Sequence, residues 1–136
     1  MGLDLGSARC GVAIDDELSL LAHPRPPLVA KDRNGLIAAL VALAESEGVD
    51  RFVVGLPLSL RGESGRAARR TESFAQALAD ASGREVVLWD ERLTTVQASA
   101  ALSEGGTDAR GQRAVIDGAA AAFLLQSWLE ARRKRK

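Results

Sequence analysis

The chain has little of what a secreted or membrane protein relies on. A single cysteine, Cys10, excludes an internal disulfide and fits a reducing compartment. No apolar run is long and pure enough to cross a bilayer. The start, Met1-Gly2-Leu3-Asp4, lacks the basic region that precedes the apolar stretch of a signal peptide. A soluble, cytoplasmic protein is expected. Tyrosine is absent and aromatics make up only 4%, so Val, Leu, Ile and Ala must fill the core. The lone histidine, His23, precedes Pro24 and reads as structural. Net charge is zero, which argues against a protein that coats nucleic acid without specificity.

What is present fits one folded domain over residues 1–136, ending in a basic tail at about 131–136. The positive charge is local. Residues 61–70 carry four arginines against one glutamate, and residues 130–136 carry five basic residues against one glutamate. Such patches can hold phosphates on a neutral protein.

Leu3 to Ile14 reads as two strands around a Gly6-Ser7-Ala8-Arg9 turn. Leu20 to Val29 is extended, and Pro24, Pro26 and Pro27 confine it to an edge or a loop. Asp32 or Asn34 caps a helix carrying Leu36, Ile37, Leu40, Val41 and Ala44, which Gly48 closes. A short buried strand follows at Arg51 to Gly55, then a loop to Gly65. A second helix covers Ala67 to Ala81 and ends at Gly83. Glu85 to Trp89 is another strand. Thr94 or Thr95 caps a short helix to about Leu102, a polar stretch runs to Gly111, and a last helix spans Arg113 to Arg133. Hairpin strands first and helix-linked strands later imply an α/β fold with a mixed sheet, its later strands parallel and its faces covered by helices.

Carboxylates interrupt or end apolar segments at three places. Asp4 breaks the strand Gly2-Leu3-Asp4-Leu5. Asp90 and Glu91 end the strand Val86-Val87-Leu88-Trp89. Asp117 shares a helical face with Ala120, Ala121, Leu124 and Trp128. A buried, unpartnered carboxylate costs several kcal/mol or shifts its pKa to stay neutral. A shared hard cation such as Mg²⁺ removes that penalty, and two such ions support phosphodiester hydrolysis. Gly118 would let its helix approach the sheet or substrate closely. Each acid alone fits a cap, a turn or a solvated face; together they point to metal.

Gly2-Leu3-Asp4-Leu5-Gly6-Ser7-Ala8-Arg9-Cys10-Gly11-Val12-Ala13 resembles the opening motif of the YqgF/RuvX family of Holliday-junction-resolvase-like nucleases. Val53-Val54-Gly55-Leu56-Pro57-Leu58, with the continuation from Gly62 to Arg70, resembles the second motif. Asp90-Glu91-Arg92-Leu93-Thr94-Thr95 resembles the third and Ile116-Asp117-Gly118-Ala119-Ala120-Ala121 the fourth. The resemblance spans nearly the whole chain in order and spacing. It implies a ribonuclease-H-like, mixed five-stranded sheet whose first three strands are antiparallel. It implies a divalent-metal-dependent endonuclease using Mg or Mn, with two ions. It implies a role in maturing the small-subunit ribosomal RNA precursor or in resolving four-way DNA junctions. By position, Asp4, Glu91 and Asp117 would be the metal-binding catalytic acids, with Asp90 an adjacent candidate. Two departures stand out. Met1 directly precedes Gly2 where the family carries several apolar residues, so an upstream start or a trimmed chain is expected. Gly118 stands where a bulkier small residue, often Ser, is usual.

Arg9 in the hairpin turn, and Arg61 and Arg66 around the second motif, are candidates for contacting substrate phosphate. Thr94 caps its helix and has a second reading in orienting Glu91. Trp89 and Trp128 read as core residues and Cys10 as a buried small hydrophobe. The expected partner is nucleic acid, RNA precursor or branched DNA, with no membrane. Junction resolution needs two active sites and so implies a homodimer, whereas a monomer favours RNA processing. Two other functions remain open. One is a non-catalytic nucleic-acid or ribosome-binding module. The other is a fragment of an actin- or hexokinase-type ATPase, whose first phosphate loop also reads Asp-x-Gly-Ser, as at Asp4 to Ser7. That ATPase needs a second domain and a second glycine-rich motif, which this chain lacks.

Overall fold

The computed structural model describes residues 1–6, 9–16, 21–58, 65–91 and 109–134, with side chains in the last helix described from Gly118 to Arg133. Five strands are present: β1 (Gly2–Leu5), β2 (Cys10–Asp15), β3 (Ala22–Leu28), β4 (Arg51–Leu56) and β5 (Glu85–Asp90). Among the described residues three helices accompany them: α1 (Arg33–Glu47), α2 (Arg66–Ser82) and α3 (Ala109–Lys134).

The sheet has the order β3-β2-β1-β4-β5. β1, β2 and β3 pair antiparallel, and β4 joins β1, and β5 joins β4, in parallel. This is the mixed five-stranded sheet expected. Two antiparallel steps leave β3 parallel to β1. The carboxyl ends of β1, β3, β4 and β5 therefore share one edge of the sheet.

Local chemistry explains the boundaries. Asp32 caps α1, its Oδ1 accepting from the Gly35 N–H at 2.7 Å. Gly48 and Gly83 end α1 and α2 at φ 67° and 65°, the left-handed region that glycine enters without a Cβ clash. The three prolines fall on edge strand β3, where a missing N–H does no harm. The pairing slips between Cys10↔Leu28 and Val12↔Arg25, so Pro26 and Pro27 together oppose Gly11 in a bulge. The last helix begins at Ala109, four residues earlier than its spacing suggests. Gly111 lies inside it, a placement that costs about 1 kcal/mol relative to Ala without ending a helix.

Alternation along the strands splits the core in two. Leu3, Val12, Phe52 and Val54 face α1 and α2, meeting Ile37, Leu40, Phe74 and Leu78. Ala13 and Val53 face α3, meeting Ala121, Leu124, Leu125 and Leu129. The core is aliphatic, with Phe52 its largest fully buried side chain. Cys10 is buried, as expected.

α3 crosses the sheet from edge to edge. Near β3, Gly118 is so close that an added Cβ would lie 3.1 Å from Pro24 Cβ and 3.4 Å from Arg25 O. The Ala22 N–H donates to Gln126 Oε1 at 2.9 Å. Near β5, Trp89 Nε1 donates to Ser127 Oγ at 3.1 Å. The close approach anticipated at Gly118 is thus to the sheet. Trp89 and Trp128 pack against the α3-side cluster and stay partly exposed; Trp128 lies between the guanidinium groups of Arg51 and Arg132, 5.2 and 5.3 Å from its ring centre. His23 is exposed on β3 opposite Ile14. Among the described residues no helix is long and apolar enough to cross a membrane.

Candidate active site

Asp4 sits near the carboxyl end of β1. Leu3 and Leu5 pack on the α1–α2 side, so Gly2 and Asp4 face α3. A Cβ at Gly2 would lie 2.8 Å from both Ala121 O and Leu125 Cβ. Only glycine lets the helix backbone come this near, and that contact sets α3 against the strand that carries Asp4.

Glu91 follows β5 directly. Its side chain lies across β4: a Cβ at Gly55 would be 3.3 Å from Glu91 Oε2 and 3.5 Å from Glu91 Cβ. Leu3 pairs with Val54, and one further step of that register sets Asp4 beside Gly55. Gly55 is therefore the bare floor over which Glu91 reaches towards Asp4. A side chain there would crowd both Glu91 and Leu124, whose Cδ2 would be 3.4 Å away.

The electrostatics agree with the geometry. The Glu91 carboxyl is raised above its ordinary pKa, first by burial, then by the negative charge of Asp4, then by that of Asp90. Asp90 ends β5 and pairs in register with Leu56. Its strand parity matches that of Val86 and Leu88, so it points to the opposite face from Glu91. Glu91 and Asp4 are thus the carboxylates that share a face, and Asp90 contributes less to the Glu91 shift than Asp4 does.

The backbone of Asp117 lies in α3, one turn before Ala121, whose carbonyl covers Gly2. Its side chain lies outside the described residues. Among the described residues no three His, Cys, Asp or Glu side chains converge as a metal-holding group. The donors that share the site are carboxylate oxygens, and burial together with the charge of Asp4 raises Glu91. That set fits a hard divalent cation, which takes oxygen ligands and offsets such repulsion.

Both carboxylates line a cleft of about 630 Å³ at the shared sheet edge, between the starts of α1 and α2. Arg9 lines it too, held by the hairpin in which the Gly6 N–H donates to Arg9 O at 2.8 Å. Arg66 is exposed at the first position of α2 and is not among the cleft residues. Arg61 and Thr94 lie outside the described residues. The cleft instead recruits Lys31 and Arg33, which did not stand out in the sequence, and Arg70, which belongs to the basic stretch 61–70. The available signal was topological. α1 starts just past the end of β3 and α2 past the end of β4, and ligands in open α/β sheets bind beyond such strand ends.

The comparisons with known proteins agree. The family model described as RuvX, Holliday junction resolvase, matches residues 1–131. A relative from Anaeromyxobacter sp. (strain Fw109-5), named as a proposed pre-16S rRNA nuclease, is 42% identical over 97% of this chain and 96% of its own length. A relative from Myxococcus xanthus with the same name is 42% identical over 98% of this chain and 88% of its own. Thermus thermophilus RuvC in complex with a Holliday junction substrate superposes with a TM-score of 0.59 at 16% identity, covering 98% of this chain and 94% of that one. RuvC on its own gives 0.55 at 16% identity. At that identity the likeness establishes a shared ribonuclease-H-like fold.

Proposed function

The chain belongs to the RuvX, Holliday junction resolvase, family, and from that premise we propose that it is a divalent-metal-dependent endonuclease acting on the small-subunit ribosomal RNA precursor. One observation carries the catalytic part of this reading. Glu91, from a strand that does not neighbour β1, reaches over the bare backbone of Gly55 towards Asp4, and burial first, then the charge of Asp4, raises the Glu91 pKa. A fold does not build two half-buried carboxylates side by side without a cation or a proton to share. The names of the closely similar relatives favour RNA over junction DNA.

Asp4, Glu91 and Asp117 would hold Mg or Mn, two ions in the full site. Bound metal would supply charge stabilisation and an activated water for attack on phosphorus. The protein's own contribution is placement. β1 and β5 fix Asp4 and Glu91 on one face, Gly2 and Gly55 keep the surrounding backbone bare, and Asp117 is carried on the helix that Gly2 admits. Arg9 would steady the substrate backbone beside the acids, with Arg61 and, at the first position of α2, Arg66. Thr94 would orient Glu91. The whole of residues 1–136 would act as one cytoplasmic nuclease domain, with a homodimer only if junctions are also cut.

The test is cleavage of precursor ribosomal RNA ends, unstructured RNA and four-way DNA junctions in Mg²⁺ or Mn²⁺. Asp4→Asn, Glu91→Gln and Asp117→Asn run alongside. Loss of a group that merely supports a metal ligand costs about 10–100-fold. Loss of a ligand is therefore expected to exceed about 100-fold for each variant. Junction cleavage without RNA cleavage would move the substrate to DNA. Nucleic-acid binding without any metal-dependent cleavage would leave a binding module.

A further inference from the structure

The cleft holds more than the acids. Its acidic end is Asp4 and Glu91 at the strand termini. Away from them, its walls are the starts of two helices: Lys31 and Arg33 from the α1 side, and Arg70 from α2. All three are exposed, and the Arg33 guanidinium donates to Ser73 Oγ at 3.1 Å, tying α1 to α2 across the cleft. The floor between the walls is apolar, formed by Leu28, Leu36 and Phe74. Asp4 and Glu91 thus lie at the strand ends with Arg9 beside them, the rim carries Lys31, Arg33 and Arg70 around the α1 cap Asp32, and hydrocarbon and an aromatic ring lie beneath.

We propose that this cleft takes an unpaired nucleotide next to the scissile phosphate, with Lys31, Arg33 and Arg70 holding the flanking phosphates. This rests on the nuclease reading above and narrows its substrate to strands that are single at the cut. The rim matches a polyanion, and the floor matches the base face that only an unpaired nucleotide can offer. The volume suits one nucleotide: pockets of about 300–1,000 Å³ take ligands of that size. A duplex keeps its base faces stacked inside and offers phosphate, sugar and groove edges, so no base face would reach the apolar floor. The acids do not favour phosphate by themselves, so the cations beside them must deliver the strand. RNA and DNA share this chemistry.

The experiment measures binding apart from cleavage. Fluorescent single-stranded RNA, single-stranded DNA and blunt duplexes of equal length are titrated with the full chain by anisotropy, in chelator, over a range of salt. Lys31→Gln, Arg33→Gln and Arg70→Gln are compared with Arg69→Gln, a neighbour on α2 outside the cleft. Thermal melts check that each variant folds. Single strands should bind at least about tenfold tighter than duplex. Each cleft variant should lower the slope of log K against log salt by about 0.7, the share of one phosphate on a single strand, and Arg69→Gln should not. Duplex binding as tight as single-strand binding, or slopes unchanged in all three cleft variants, overturns the proposal. A preference for RNA or for DNA among the single strands names the sugar. Cleavage by the parent protein is assayed separately. Slopes that fall in a protein that never cleaves would sink the nuclease reading alone; cleavage with unchanged slopes would sink the cleft assignment alone.

Discussion

At the residue scale, Glu91 reports on its neighbours. Burial is the first cause of its raised pKa and Asp4 the second. Asp4→Asn should therefore lower the Glu91 pKa part of the way, leaving it still above its ordinary value. Carboxyl ¹³C NMR titration measures this, and an unchanged Glu91 would mean that the two groups do not interact. The same shift governs metal. A carboxyl must lose its proton to bind a cation. Mg²⁺ or Mn²⁺ should then bind with proton release and weaken as pH falls through the raised range of Glu91. Calorimetry in buffers of different ionisation enthalpy would expose the released proton. Asp4 and Glu91 were legible in the sequence because each interrupts or ends an apolar strand, where charge is expensive. Gly55 was not. Its bareness matters only because Glu91 crosses it, and that crossing follows from the pairing of β4 with both β1 and β5. Lys31 and Arg33 were missed for the same reason. Their flanking sequence is that of an ordinary helix start, and only the parallel course of β1 and β3 brings them to Asp4; Arg70, within the basic stretch 61–70, comes there because β4 runs parallel to β1.

At the scale of elements, the seat of α3 is where a single methyl should tell. Gly2→Ala places a Cβ 2.8 Å from the Ala121 carbonyl and from Leu125 Cβ, and backbone cannot yield as a flexible side-chain tip does. The expected loss is about 1–3 kcal/mol, the usual range for overpacking a close contact. Chemical denaturation would measure it; a change under about 0.5 kcal/mol would show that α3 shifts freely on the sheet. Gly118→Leu tests the other end of the seat against Pro24, on an edge strand with solvent behind it, and should cost less than Gly2→Ala. The elements themselves were largely readable. Caps at Asp32, Gly48 and Gly83, the prolines of the edge strand and the alternation of β4 all follow from local chemistry. Helix starts were less so, because α3 runs through Gly111 and α2 starts without a side-chain cap.

At the scale of the whole molecule, β1 has a charge of opposite sign at each end, a half-buried carboxylate and a buried ammonium. Asp4 is near one end. At the other, the Met1 ammonium donates to Arg51 O at 2.9 Å while Met1 O accepts from the Val53 N–H at 2.8 Å. In a chain that starts at Met1, burial depresses that ammonium from 8.0 to about 6, with Asp15 partly opposing and Arg51 reinforcing the shift. The sign follows from proton counts. Between pH 6 and 8 the unfolded chain keeps this proton and the folded chain sheds it, so stability rises with pH across that window. Below pH 6 both states are charged and the folded state bears the full desolvation penalty, about 2–3 kcal/mol for a shift of that size. Glu91 works in the opposite direction: its raised pKa means that stability falls as pH climbs past the ordinary carboxylate range. Chemical modification separates the two. Acetylation of the Met1 amine removes the ammonium but keeps an N–H for Arg51 O, and should flatten the rise between pH 6 and 8. Glu91→Gln should leave that rise intact and remove only the fall at lower pH. Urea melts of the three proteins from pH 4.5 to 8.5 would show this. If acetylation leaves the rise between pH 6 and 8 unchanged, the ammonium is hydrated in solution and the start of β1 is looser than the ladder to β4 requires.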